Sequence, residues 1–203
     1  MYEDVLQHYR SLLKAHSLEE GACWAVIRGL TRPLPLEEVT RRLDADPAGL
    51  ERLPVDEWPQ FDESPVYLIT TDDVVMTLEP RGGRLSSPFV LAEVSTGAET
   101  WSVYWDVNLH SSLAYARNGQ VVTSDDFLYE PVTEQPFAAW ADLLAEWVRP
   151  GEDDESQYER TLARQWAAGM AVVELASGVR LTAQALRGPV PAIVHDHEDE
   201  DEE

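Results

Sequence analysis

The sequence predicts an α+β fold: a central antiparallel sheet of about five strands, flanked by N-terminal and C-terminal helices. Two observations predict it. The hydrophobic period is helical at both ends of the chain and strand-like in the middle. The middle segments are joined by short turns, which forces antiparallel pairing. Strands segregated from helices in this way define an α+β arrangement.

Residues 2–15 place Val5, Tyr9, Leu12 and Leu13 on one helical stripe. Ser17, with Glu20 three residues on, reads as a capping box. It would open a second helix carrying Ala22, Cys23, Val26, Ile27 and Leu30 inward. Pro33 and Pro35 break the chain. Pro35 then starts a short helix with Leu36, Val39 and Leu43 on one face. Asp46-Pro47 repeats the cap-then-proline signal. Three prolines within residues 53–65 mark a loop.

Val66 to Thr70 and Val74 to Leu78 flank Asp72-Asp73 and read as a hairpin. Pro80 to Ser87, with Gly82-Gly83, is a loop, and Pro88 to Val94 a short helix. Thr100 to Val107 alternates, with Trp101, Val103, Trp105 and Val107 on one face and Ser102, Tyr104 and Asp106 on the other. Leu113 to Arg117 and Gln120 to Thr123 flank Asn118-Gly119, a type I′ turn signal.

Helices return with Phe137, Trp140, Leu144 and Trp147, and again with Tyr158, Leu162, Trp166, Met170 and Val173. Ser177-Gly178 is the expected C-cap of the latter. Thr182 would cap a last short helix ended by Gly188-Pro189. Residues 1–191 are expected to form a single domain, and 192–203 a disordered acidic tail.

Composition excludes several functions. The chain has 203 residues, 15 basic and 38 acidic side chains, and a net charge of −23. Removing the tail's seven acids leaves −16, so the body is acidic too. Nucleic-acid binding needs clustered cations. Here there is one lysine, Lys14, and the arginines are scattered. An anionic membrane surface is excluded on the same ground. No apolar run approaches the roughly 18–20 residues that span a bilayer. A single cysteine, Cys23, allows no internal disulfide and no CxxC motif. Glu3, Asp4, Arg10, Lys14, Glu19 and Glu20 break up any signal peptide. A cytoplasmic location is expected.

Several stretches, in order, carry a family likeness. They are Ala25 to Thr31 with Leu36 to Val39; Val75 to Pro80 with its glycine loop through Ser87; and Val94 to Gly97. Ser102 to Asn108, Ala114 to Val121 and Ala176 to Thr182 complete the set. Together they resemble an uncharacterised actinobacterial family of domains of unknown function, over most of residues 18–187. The family pattern has Asn near 106 and a Gly-aromatic pair near 82–83, where this chain has Asp106 and Gly82-Gly83. The resemblance implies no activity.

Candidate sites follow from side-chain chemistry. Glu79 ends a strand before Pro80 and the glycine loop, so it could face a cleft with Asp106 and Asn108. Catalysis by a carboxylate needs a partner and a tuned pKa. Asp72-Asp73 and Asp125-Asp126 are read as turn formers rather than metal ligands. His8, His16, His110, His195 and His197 have no zinc spacing, and no GxSxG elbow accompanies His110 and its serines. Arg81 to Arg84 matches no phosphate-loop pattern. Cys23 is expected in the core. Neither a metal nor a cofactor is implied. Trp58, in the proline-rich loop, and Tyr104 and Tyr115, beside the solvent face of the sheet, are candidate interface anchors.

The expectation is a non-catalytic, acidic protein-binding or regulatory protein that engages a protein partner, preferably a basic one. Immunity proteins, antitoxins and regulators are the analogy. The alternative is a hydrolase or transferase of no recognised motif class, built around Glu79, Asp106 and Asn108.

Overall fold

A computed structural model of the protein describes residues 2–60, 64–71, 73–144 and 155–194, with side chains over 2–57, 64–71, 73–144 and 160–194. In chain order the elements are α1 (Glu3–Ala15), β1 (Ala22–Gly29), α2 (Leu36–Arg42), β2 (Glu51–Pro54), β3 (Val66–Thr70) and β4 (Val74–Pro80). They continue as α3 (Pro88–Val94), β5 (Ala98–Trp105), β6 (Ser111–Arg117), β7 (Gln120–Asp125), α4 (Glu155–Ser177) and β8 (Pro189–Ile193). Among the described residues, no helix is long and apolar enough to cross a membrane.

The architecture is α+β, with one antiparallel sheet in the order β2-β8-β3-β4-β1-β5-β6-β7. The sheet has eight strands, not about five. The five expected strands are all present, and β1, β2 and β8 are added. β1 is the main correction, because the sequence reads it as a helix opened by a Ser17 capping box. It lies between β4 and β5 and is buried on both faces, so it shows a continuous apolar run without alternation. Such a run satisfies a helical or a strand pattern equally. Ser17 adopts a left-handed φ of 55° and caps nothing.

β8 is hidden by Pro189 and Pro191, which argue against a strand. It pairs along its length with β2 but meets β3 only at Ala192 and Ile193, so the prolines lie where the β3 side has no ladder. Ala192 and Ile193 are buried, which carries the packed chain two residues past the expected boundary at 191. Where a last helix was expected, Thr182 closes a turn onto the Ala185 N–H.

Each face of the sheet is covered. α1 and α4 pack on one face, over Trp24, Val26, Met76, Leu78, Trp101, Val103 and Trp105. Trp105 stacks on Trp166 of α4 with centroids 5.7 Å apart, and its Nε1 donates to the Leu18 carbonyl at 3.1 Å. Gly169 lets α4 approach: a Cβ there would lie 2.8 Å from Val103 Cγ2. The short helices α2 and α3 cover the opposite face, over Cys23, Ala25, Ile27, Leu68 and Val75. Asn118 and Gly119, with φ of 50° and 81°, make the expected turn between β6 and β7. Phe137–Leu143 forms a 3₁₀ helix; Trp147 and the Pro150-Gly151 stop lie outside the described residues.

Candidate functional site

Glu79 is the last acidic residue of β4, and its side chain points to the α2/α3 face. The register sets Cys23 of β1 between Glu79 and Tyr104 of β5 in one row. The chain after Pro80 turns back over this row. Arg81 takes a left-handed φ of 55°, and its N–H donates to the Gly21 carbonyl at 2.8 Å. The loop then lays its amides on the carboxylate. Arg84 N–H donates to Glu79 Oε2 at 2.8 Å, and Leu85 N–H to Oε1 at 3.1 Å. Only Gly fits over these side chains. A Cβ on Gly82 would lie 2.9 Å from Glu79 Cβ, and one on Gly83 2.7 Å from the Tyr104 ring.

Glu79 is thereby 2% exposed. Burial raises its carboxyl above the usual carboxylate range. The Arg84 and Leu85 amides, the Arg84 guanidinium and the Cys23 thiol oppose that shift without cancelling it. The Cys23 thiol is itself pushed well up, by burial first and by the Glu79 charge second. Its Sγ lies 3.6 Å from Ser102 Oγ, which donates to the Leu85 carbonyl at 2.8 Å. Cys23 lies within a strand rather than near the start of a helix, and the Ser102 hydroxyl and Leu85 amide that favour its thiolate do not offset the upward shift.

Asp106 follows the end of β5 and organises the turn into β6. Its Oδ1 accepts the N–H of Asn108 at 2.8 Å and of His110 at 3.0 Å. Its Oδ2 accepts Tyr104 O–H at 3.0 Å and lies 2.8 Å from His110 Nδ1. Burial pushes this carboxyl up, but the bonds from His110, Tyr104 and Asn108 outweigh burial and hold it below the usual value. Tyr104 is pushed up to about 12 by burial and by Asp106. This turn also ends the strand two residues early, so Val107 is 67% exposed rather than in the core.

The structure thus brings Asp106 and Asn108 into one turn. Tyr104 stands between that turn and the Glu79 loop, with its ring against Gly83 and its hydroxyl on Asp106. Asn108 has an exposed side chain, and its N–H serves the turn. Tyr104 and Tyr115 do not share a patch. Tyr115 pairs with Trp101 across β5 and β6 while Tyr104 pairs with Ser112, so the two tyrosines point to opposite faces. Tyr115 donates to Glu99 Oε1 at 2.7 Å and packs 5.5 Å from Trp101, over which the Arg28 guanidinium sits at 5.4 Å. The side chain of Trp58 lies outside the described residues, as do Asp72, His195 and His197.

Asp126 accepts Ser111 Oγ at 2.5 Å and Leu128 N–H at 3.2 Å, as a turn former does. Among the described residues, no three His, Cys, Asp or Glu side chains are grouped to hold a metal ion. Sequence reasoning missed Phe89 of α3, which is 88% exposed. Its signal was helical spacing: Leu91 and Val94 face inward, and Phe89 falls off that stripe.

No curated protein and no solved structure matches the chain. A family model does match, over residues 6–189, which takes in every described strand through the start of β8 and both carboxylate-centred loops. The chain belongs to a family of unknown function (DUF6461).

Proposed function

We propose that this protein acts by binding another protein through its acidic surface, and that it is not an enzyme. One observation carries the reading: the two carboxylates a catalytic site would use are already consumed by the fold. Glu79 serves the Arg84 and Leu85 amides beneath a glycine lid. Asp106 serves Asn108, His110 and Tyr104. A general base must instead reach a substrate proton.

The net charge of −23 supports a basic partner, because complementary potential steers encounter and excludes like-charged competitors. Phe89 supplies an exposed aromatic anchor of the type that dominates interface energy. A cytoplasmic, actinobacterial setting belongs to this reading, consistent with the Arg-rich composition and the single buried thiol. The test is affinity capture from that cytoplasm with the whole chain and with a chain ended after Val194, eluted by rising salt. A stoichiometric basic protein released by salt supports the reading. An empty capture at low salt overturns it. Loss of the partner with residues 195–203 would place binding in the acidic tail.

A further inference from the structure

The two edges of the sheet are guarded unequally. β2 forms one edge, with Glu51 and Arg52 exposed and Pro54 at its end, and Arg52 donates to the Pro189 carbonyl at 2.9 Å. Charged side chains and proline are what edge strands use to resist pairing. β7 forms the other edge, with β6 as its one strand neighbour among the described residues. It carries no Pro, Lys or Arg, and Gln120, Val122 and Ser124 are exposed. The two-residue turn at Asn118-Gly119 makes Arg117 and Gln120 the bonded pair that closes the hairpin. Alternation along β6 then turns the N–H and C=O of Ser124, opposite Ala114, away from the sheet.

Charge and shape select what can add there. Residues 118–148 contain no Lys or Arg. β7 ends at Asp125, and α3, which packs Leu91 on Ala114 and Ala116, exposes Glu93. The one cation of β6, Arg117, is held by Glu99 at 3.3 Å. A basic strand therefore meets carboxylates and no cation of β7 or α3. A second copy of the chain meets like charge, −23 against −23. It also meets a bulge. The β6–β7 register shifts between Tyr115 and Ala116, so Val122 has no partner in β6 and is 57% exposed. The bulge breaks the regular run that two β7 strands would need in order to pair with each other. It leaves Thr123 to Asp125 in register, beside an apolar side chain open to an incoming segment.

We propose that the β7 edge takes up an extended basic segment of the partner protein as a ninth strand of the sheet. This rests on the protein-binding reading and names the surface through which it works. The probe is a fluorescent nine-residue peptide of alternating Lys and Val, titrated into the full chain and followed by anisotropy. The expected result is saturable binding that slows hydrogen exchange at the Ser124 amide. The same peptide N-methylated throughout keeps its charge but cannot donate, and it binds at least about tenfold more weakly. Ser124→Pro removes the outward N–H without touching the β6 ladder, and Val122→Lys adds the charge that protects natural edges. Each weakens binding by about tenfold. Glu51→Gln changes the charge by the same one unit on the opposite edge and leaves binding unchanged. Urea unfolding verifies that the variants fold; where Ser124→Pro does not, Val122→Lys and the methylated peptide decide. The proposal is overturned by the absence of saturable binding, by equal binding of the methylated peptide, or by binding that Val122→Lys and Ser124→Pro leave unchanged. A dimer in sedimentation velocity that Ser124→Pro dissociates also overturns it, because the occupant would then be a second copy. Repeating the affinity capture with both variants separates this surface from the reading beneath it. A partner that they still hold leaves the protein-binding reading standing and removes the β7 edge, whereas an empty capture by the unaltered chain removes both.

Discussion

Glu79 lies directly across the β1–β4 ladder from Cys23, and both side chains are sealed on the α2/α3 face of the sheet. A buried carboxylate is tolerated only when its oxygens are bound. Here the chain supplies the donors from the segment that covers it, so one acid both closes and anchors the loop. That relationship accounts for the two glycines above it and for the thiol beside it.

Cys23 is expected to be inert in the folded protein. The thiolate is the reactive form, and burial and Glu79 both disfavour it. Ellman's reagent should react with one thiol per chain in denaturant, and in native buffer no faster than the protein unfolds. Rapid stoichiometric labelling of the native chain would show that the row around Glu79 is open.

Glu79→Gln should lower stability by about 1–3 kcal/mol, because the amide turns a donor toward one of two N–H groups and leaves it unpaired. Glu79→Ala leaves both unpaired and should lower it further, read from urea midpoints at constant slope. The pH dependence has a definite sign. Burial raises the folded carboxyl above its usual 4.5, so the folded chain holds this proton to a higher pH than the unfolded chain does. Rising pH therefore removes stability from about 4.5 up to the folded value, and the loss is constant beyond it. Glu79→Gln should abolish that segment of the stability–pH profile.

Asp106 should show the opposite sign. Its folded carboxyl is held below the usual 3.8, so its contribution is present above that value and is lost as pH falls through the folded value. Asp106→Asn keeps an acceptor for Asn108 and His110 but replaces the oxygen that serves Tyr104. A loss of about 1–2 kcal/mol and a flatter acid limb are expected. Equilibrium unfolding between pH 3 and 7 checks both.

Gly83→Ala forces a Cβ into the Tyr104 ring at 2.7 Å, and that ring cannot yield without moving its hydroxyl off Asp106. A loss of about 1–3 kcal/mol is expected from overpacking. Gly49→Ala, where a Cβ meets nothing within 4 Å, is the control and should change thermal stability little.

What was legible in the sequence had a local cause. β3, β4, β5, β6 and β7 announce themselves by alternation or by turn residues, and α3 by Pro88 at its first position. The missing strands have nonlocal causes. β1 lacks alternation because neighbours and helices bury both of its faces. β8 tolerates its prolines because β3 meets only its last two residues. Glu79 was found as a candidate from its place before Pro80 and two glycines. Its role was not legible, because the donors from Arg84 and Leu85 depend on how the loop folds back. Sequence alone groups Tyr104 with Tyr115, because it does not give the β5–β6 register that turns them to opposite faces.

The central claim is that Glu79 is a sealed structural carboxylate, and amide hydrogen exchange at Arg84 and Leu85 tests it most directly. In the native chain both amides should exchange slowly, near the rate set by global unfolding, and Glu79→Ala should remove that protection while amides of β5 stay protected. Fast exchange at Arg84 and Leu85 in the unaltered chain would contradict the account, because it would leave the carboxylate open to solvent and free to act on a substrate.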